Sequence, residues 1–238
     1  MQILTTGAAM LLASVAMAHA HDIKSPVDPA KSAAFDITAA SATTDGRLAT
    51  FMMELAGDAG SVIPEATGKL TGAKVAAYVW PTALDASAAG FAPKSGILAL
   101  AVTAHPDFDD TPLFDENADG DPANDGKSWH SHWVVLGKDA ACGAGLKVLD
   151  VSPGKDVLPA TAPMLPLALD SPGMSPALLG KTIRLTVPVA NGENVAFDAV
   201  TAALEVNAEG KAPLLCVTAA HDIASGDLSM PGRITAAK

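Results

Sequence analysis

The chain reads as an all-β protein, an antiparallel sandwich or barrel of roughly 8–10 strands with long acidic and Pro-rich loops. Three observations predict this. Short apolar and β-branched runs recur along the sequence; Asp45-Gly46, Ala190-Asn191-Gly192 and Glu209-Gly210 stand between such runs as hairpin turn signals; and Pro153 to Pro176 is too rich in proline for regular sheet or a long helix.

Taken in order, the first segment is an export signal. Leu11 to Ala20 (LLASVAMAHA) is an apolar run with an Ala-x-Ala ending, too brief to span a bilayer as a helix of about 20 residues. Residues 1–20 are therefore expected to be cleaved, leaving residues 21–238 as a single β-rich exported domain, periplasmic or secreted. No later stretch is apolar enough for a transmembrane helix. Cleavage after Ala20 makes His21 the terminus, whose amine and ring form a copper chelate; cleavage after Ala18 leaves His19-Ala20-His21, a square-planar chelate for Cu(II) or Ni(II). A histidine tolerated by chance beside the cut explains the pattern as simply.

The strand-like runs are Ala34 to Ala40, Leu48 to Ala56, Ala73 to Trp80, Ile97 to His105, Trp129 to Leu136, Leu146 to Val151, Thr182 to Val189, Val195 to Val206 and Leu214 to Thr218. The Pro-rich region is expected to cross the domain as a long connection; its Met164 and Met174 are gap-filling residues or, less simply, soft copper ligands. Cys142 and Cys216 are the only cysteines, which in an oxidising compartment points to one disulfide ahead of a thiolate copper site.

Acidic residues outnumber basic ones, 26 to 15, for a net charge of -11, which argues against a nucleic-acid partner. Gly-rich phosphate loops, Gly-x-Ser-x-Gly elbows and C-x-x-C-H haem motifs do not occur.

The chemistry concentrates in Trp129 to Leu136 (WHSHWVVL). In an extended strand His130 and His132 project from one face with Val134 and Leu136, while Trp129, Ser131, Trp133 and Val135 take the other. Two imidazoles about 7 Å apart along a strand can converge on one ion, zinc or copper, and leave room for a third ligand. Ordinary half-buried histidines satisfied by backbone or water are the alternative. For the third ligand, His105 at the end of the preceding strand comes first, and His221, beside Asp222, second; a surface His-Asp turn explains the latter equally well. The string His130-Ser131-His132-Trp133 is similar to the His-x-His-Trp strand of α-type carbonic anhydrases, in which such a pair holds a zinc-bound hydroxide. The resemblance covers these four residues and implies that the spacing suits zinc.

Between His105 and Trp129 lies a long acidic loop. Asp115-Glu116-Asn117-Ala118-Asp119-Gly120 matches the opening of a calcium loop, with Asp115, Asn117 and Asp119 as ligands and Asp121, Asp125, Asp109 or Asp110 closing the site. Gly126 stands where an EF-hand places its bidentate Glu, so a true EF-hand is not expected; a solvated acidic loop is the competing reading.

These observations lead to an exported metal-binding protein with a His-based zinc or copper site and a calcium loop. Two alternatives remain open: a metal-dependent enzyme using the same histidines, hydrolytic, lyase-like or copper oxidative, and a secreted structural or adhesion module that binds calcium only. Metal ions are the expected partners; protein partners and any substrate are not legible.

Overall fold

A computed structural model describes residues 22–110, 115, 117–122, 124–150, 174–210 and 213–237. The expected signal, His19, His21 and most of the Pro-rich region, with Met164, lie outside the described residues. The strands are β1 (Ile23–Lys24), β2 (Ile37–Thr44), β3 (Leu48–Leu55), β4 (Lys74–Pro81), β5 (Ile97–Ala104), β6 (His130–Lys138), β7 (Leu146–Val148), β8 (Ala177–Leu179), β9 (Thr182–Pro188), β10 (Ala196–Phe197), β11 (Val200–Val206), β12 (Leu215–Ile223), β13 (Gly232–Arg233) and β14 (Thr235–Ala236).

They form an antiparallel all-β fold. Six strands close into a barrel in the order β4-β5-β6-β7-β12-β11, with β11 returning to β4. A second sheet, in the order β1-β2-β3-β9-β8, packs against it; β14 adds to β2 in parallel, and β10 pairs with β13.

The two layers share one wall. Tyr78 and Trp80 of β4, Leu98, Leu100 and Val102 of β5, and Trp133 and Val135 of β6 point out of the barrel and pack with Phe51 and Met53 of β3 and Ile183 and Leu185 of β9. The alternate residues, Val75, Ala77 and Val79, Ala99 and Ala101, and Val134, point into the barrel and meet Val200, Ala202 and Leu204 of β11 and Val217 of β12. Strands β4 and β5 are therefore buried on both faces along almost their whole length, which is why they read as continuous apolar runs. Strand β9, one face of which meets solvent, alternates instead.

Asp45-Gly46 does turn β2 into β3, with Gly46 at a φ of +91° that few other residues tolerate. Several expectations are corrected. The run Ala34 to Ala40 begins its strand only at Ile37, because residues up to Phe35 are held in a turn by the Phe35 amide donating to the Ser32 carbonyl. Ala190-Asn191-Gly192 is not a hairpin turn, since β9 pairs with β3 and β8 while β10 pairs with β13. Val195 to Val206 breaks at buried Asp198, whose carboxylate accepts from the Ala199 amide at 2.8 Å and the Ser225 hydroxyl at 2.5 Å. The last run extends beyond Thr218 to Ile223, so His221 and Asp222 lie on a strand and not in a turn.

Cys142 and Cys216 are disulfide-bonded, with Cα atoms 5.1 Å apart and a sequence separation of 74. The bridge ties the β6–β7 connection to β12 beside β7, the shortest strand of the barrel. Replacing both cysteines by serine is expected to lower stability by about 2–5 kcal/mol, as for other native disulfides closing long loops. Denaturant unfolding of the oxidised protein and the double variant measures it, and equal midpoints contradict a stabilising role.

Candidate metal centre

Strands β5 and β6 pair antiparallel, with Thr103 opposite His130 and Ala101 opposite His132. His105 follows the end of β5, so the register places all three imidazoles together: His130 and His132 by the period of one strand, His105 by that of its neighbour. The chain then turns back through Phe108 and delivers Asp110 into the same space. The ligand atoms of His105, Asp110, His130 and His132 all lie within 4.8 Å of one another, and all four residues are buried.

The separations suit a single ion. His105 Nε2 is 2.9 Å from His130 Nε2; Asp110 Oδ1 is 3.2 Å from His105 Nε2 and 3.1 Å from His130 Nε2; and Asp110 Oδ2 is 3.5 Å from His132 Nε2. Ligand atoms around a tetrahedral ion with bonds of about 2.0–2.1 Å stand about 3.3–3.4 Å apart.

The other ring nitrogens settle the tautomers. His105 Nδ1 lies 2.8 Å from the Phe108 carbonyl oxygen and His130 Nδ1 lies 2.8 Å from that of Ser128. A carbonyl only accepts, so each Nδ1 carries the hydrogen and each Nε2 of a neutral ring turns a lone pair toward the other. Two lone pairs and a carboxylate facing one another at these distances repel unless a proton or a metal cation stands between them. A backbone carbonyl on the far nitrogen is also the partner that orients a metal-binding imidazole. Neither ring nitrogen of His132 makes a hydrogen bond among the described residues.

Charge follows the same geometry. Burial opposes ionisation of Asp110, but the positive charge and hydrogen bonds that the imidazoles offer it when protonated, as in the metal-free site, outweigh that and hold the carboxyl well below its ordinary range. Burial pushes His132 down to about 3, with Asp110 acting against that shift, so this ring is neutral at physiological pH.

The acidic loop lies over the site and helps to shape it. A short 3-10 turn, Asp125–Lys127, precedes β6, and the His105 amide donates to the Gly126 carbonyl at 2.6 Å. A Cβ on Gly126 would sit 2.1 Å from the Phe108 carbonyl oxygen and 2.5 Å from that of His105, the same two residues whose positions set the His105 ring and Asp110. The ring of Phe108 also stacks on His105 at 4.2 Å.

Of the residues singled out in the sequence, the structure brings together His105, His130 and His132. It does not bring in His221, which is exposed on β12 and stacks on Phe35 at 4.8 Å; its neighbour Asp222 is buried, accepting from Lys31 Nζ at 2.6 Å and from the Ile37 amide at 2.8 Å. Asp110, considered above only as a closing ligand for calcium, stands instead among the histidines. In the calcium-like segment the side chains hold the loop itself. Asp115 accepts from the amides of Asp119 and Gly120, Asn117 from Asp119, Asp119 from Asp121, and Asp125 from Asn117. Asp115, Asp119, Asp121 and Asp125 form no group of metal-ligating atoms among the described residues.

Comparison with protein-family models, curated proteins and solved structures finds no match to this chain. The four-residue likeness to carbonic anhydrases thus has no counterpart at the level of the whole chain.

Two outcomes follow from this geometry. In the metal-free protein the unfolded chain takes up a proton at His132 near pH 6.5 that the folded chain refuses until about pH 3, so stability falls as pH drops through that window, and Asp110 acts in the same direction below it. Thermal unfolding of chelator-treated protein from pH 7.5 to 4 should show this fall, and a flat profile contradicts it. Gly126→Ala should cost about 1–3 kcal/mol through overpacking and weaken metal binding by displacing the His105–Asp110 turn; unchanged affinity in a metal titration contradicts that placement.

Proposed function

We propose that this chain is an exported metal-binding protein whose transition-metal site is formed by His105, His130, His132 and Asp110, with zinc as the first candidate and copper as the second. One observation carries the reading: two imidazoles held by backbone carbonyls at Nδ1 turn their Nε2 atoms on each other at 2.9 Å, with a buried carboxylate oxygen against both. A three-nitrogen, one-oxygen set suits zinc and copper alike, and four protein ligands match the closed four-coordinate sites that zinc commonly occupies. A disulfide and an apolar N-terminal run ending in Ala-x-Ala support export to an oxidising compartment.

A metal-dependent enzyme using the same residues is the second reading, and one feature favours it. Asp110, His105 and His132 line a cavity of about 130 Å³ inside the barrel, so a small molecule held there would touch the metal centre. A bound zinc ion would there polarise a substrate or lower the pKa of water to about 7. The chain's own contribution is to fix the imidazole tautomers and to exclude bulk water from the ligand cluster.

Elemental analysis of protein purified from its exported location, without chelators or a His-tag, tests the proposal. Close to one zinc or copper per chain, lost from His130→Ala and His132→Ala, is the expected result. A native protein free of transition metal that also fails to take up zinc or copper on titration overturns it.

A further inference from the structure

The barrel interior is hollow, and the residues around the hollow explain why. A closed barrel this small normally fills its centre with side chains, but here Ala77, Ala101 and Ala202 face inward where larger residues would meet. The remaining cavity of about 130 Å³ is walled mainly by aliphatic side chains such as Val79, Val134 and Val200. Apolar cavities of roughly this size, about 150 Å³, stay dry and accept benzene or xenon.

The polar groups along this wall are not scattered. His105, Asp110 and His132 line it together with Thr103, which lies between Ala101 and His105 on the inward face of β5 and is paired with His130. Thr103 is 7% exposed, and its hydroxyl has no hydrogen-bond partner. A buried hydroxyl left unpaired forfeits its hydration without return, so its presence beside the metal ligands is best accounted for by a partner that arrives from outside the chain.

We infer that the barrel is a binding chamber for a small, uncharged, largely hydrocarbon molecule bearing a single polar group. The polar group meets the Thr103 hydroxyl and the metal centre, and the apolar body fills the space between Ala77, Ala101 and Ala202. The inference deepens the proposed function by naming the class of molecule its site receives, and it rests on that reading for the role of the metal. Charge is excluded by the same wall: an ion placed among these aliphatic side chains loses its hydration with no compensating group along the apolar part of the chamber.

Phenol, toluene and 4-hydroxybenzylamine, whose ammonium would lie in the apolar part of the chamber, titrated calorimetrically into the zinc-loaded protein test the inference. Phenol should bind, toluene more weakly, and 4-hydroxybenzylamine not at all. Thr103→Val, which keeps the shape and removes the hydroxyl, should weaken phenol about 3- to 10-fold, the loss of one hydrogen bond, and leave toluene unchanged. Ala202→Leu should abolish binding of both while zinc content stays at the wild-type level. Xenon bound inside the barrel of the unmodified protein supports the chamber independently of whether that variant folds. Zinc-replete wild-type protein that binds neither phenol nor xenon overturns the chamber and leaves the metal centre standing. Phenol binding that is sensitive to Thr103→Val in a protein that takes up no zinc does the reverse.

Discussion

The constraint on which this structure depends is that β4, β5 and β6 serve two cores at once. Each presents alternate residues to the barrel interior and to the second sheet, so apart from their ends these strands are buried on both faces. Apolar residues satisfy both faces without polar partners, and polar ones survive only where something meets them. Two successive inward positions of β6 nevertheless carry His130 and His132, and His105 follows the end of the paired strand β5. The shared wall thus holds the histidines on a rigid element, buried from bulk water, where desolvation keeps the His132 ring neutral.

Neutrality and orientation then make a ligand set out of a cluster of rings. The carbonyls of Phe108 and Ser128 belong to the segments leaving β5 and entering β6, so the same chain turns that end the strands also fix the Nδ1 hydrogens. Asp110 arrives on the first of these turns and brings negative charge, and Gly126 on the second lets the two segments approach more closely than any side chain would allow. The described part of the acidic loop between them is held in shape by its own carboxylates accepting backbone amides. Inside the barrel, small residues on β4, β5 and β11 leave a cavity that reaches the ligands from the opposite side. The centre therefore lies at the end of the barrel cavity, with His105, Asp110 and His132 forming part of its wall.

Much of this was legible in the residues. Period-two spacing placed His130 and His132 on one face and Trp133 and Val135 on the other, and the adjacency of consecutive strands favoured His105 as the third imidazole. The even pair of cysteines in a chain read as exported pointed to the disulfide. Each inference used short-range regularities that any strand obeys. The errors came where a residue's role is set by distant partners. His221 beside Asp222 resembled a ligand pair, yet Asp222 is engaged by Lys31 and the Ile37 amide, far apart from it in sequence, and His221 turns outward against Phe35. Asp110 was one of several carboxylates in an acidic loop, and nothing in its neighbours distinguishes it from Asp109.

Sequence alone was therefore sufficient for the class of fold, the facing of the histidine strand and the pairing of the cysteines, because alternation, strand order and cysteine count carry that information locally. Closure of six strands into a barrel, its hollow interior, the recruitment of Asp110 and the rejection of His221 were decided only in three dimensions. Barrel closure depends on how β11 returns to β4, and the choice of ligand on which loop residue the turn after His105 folds inward. Both are set by packing between segments remote in the chain, which no local pattern of residues records.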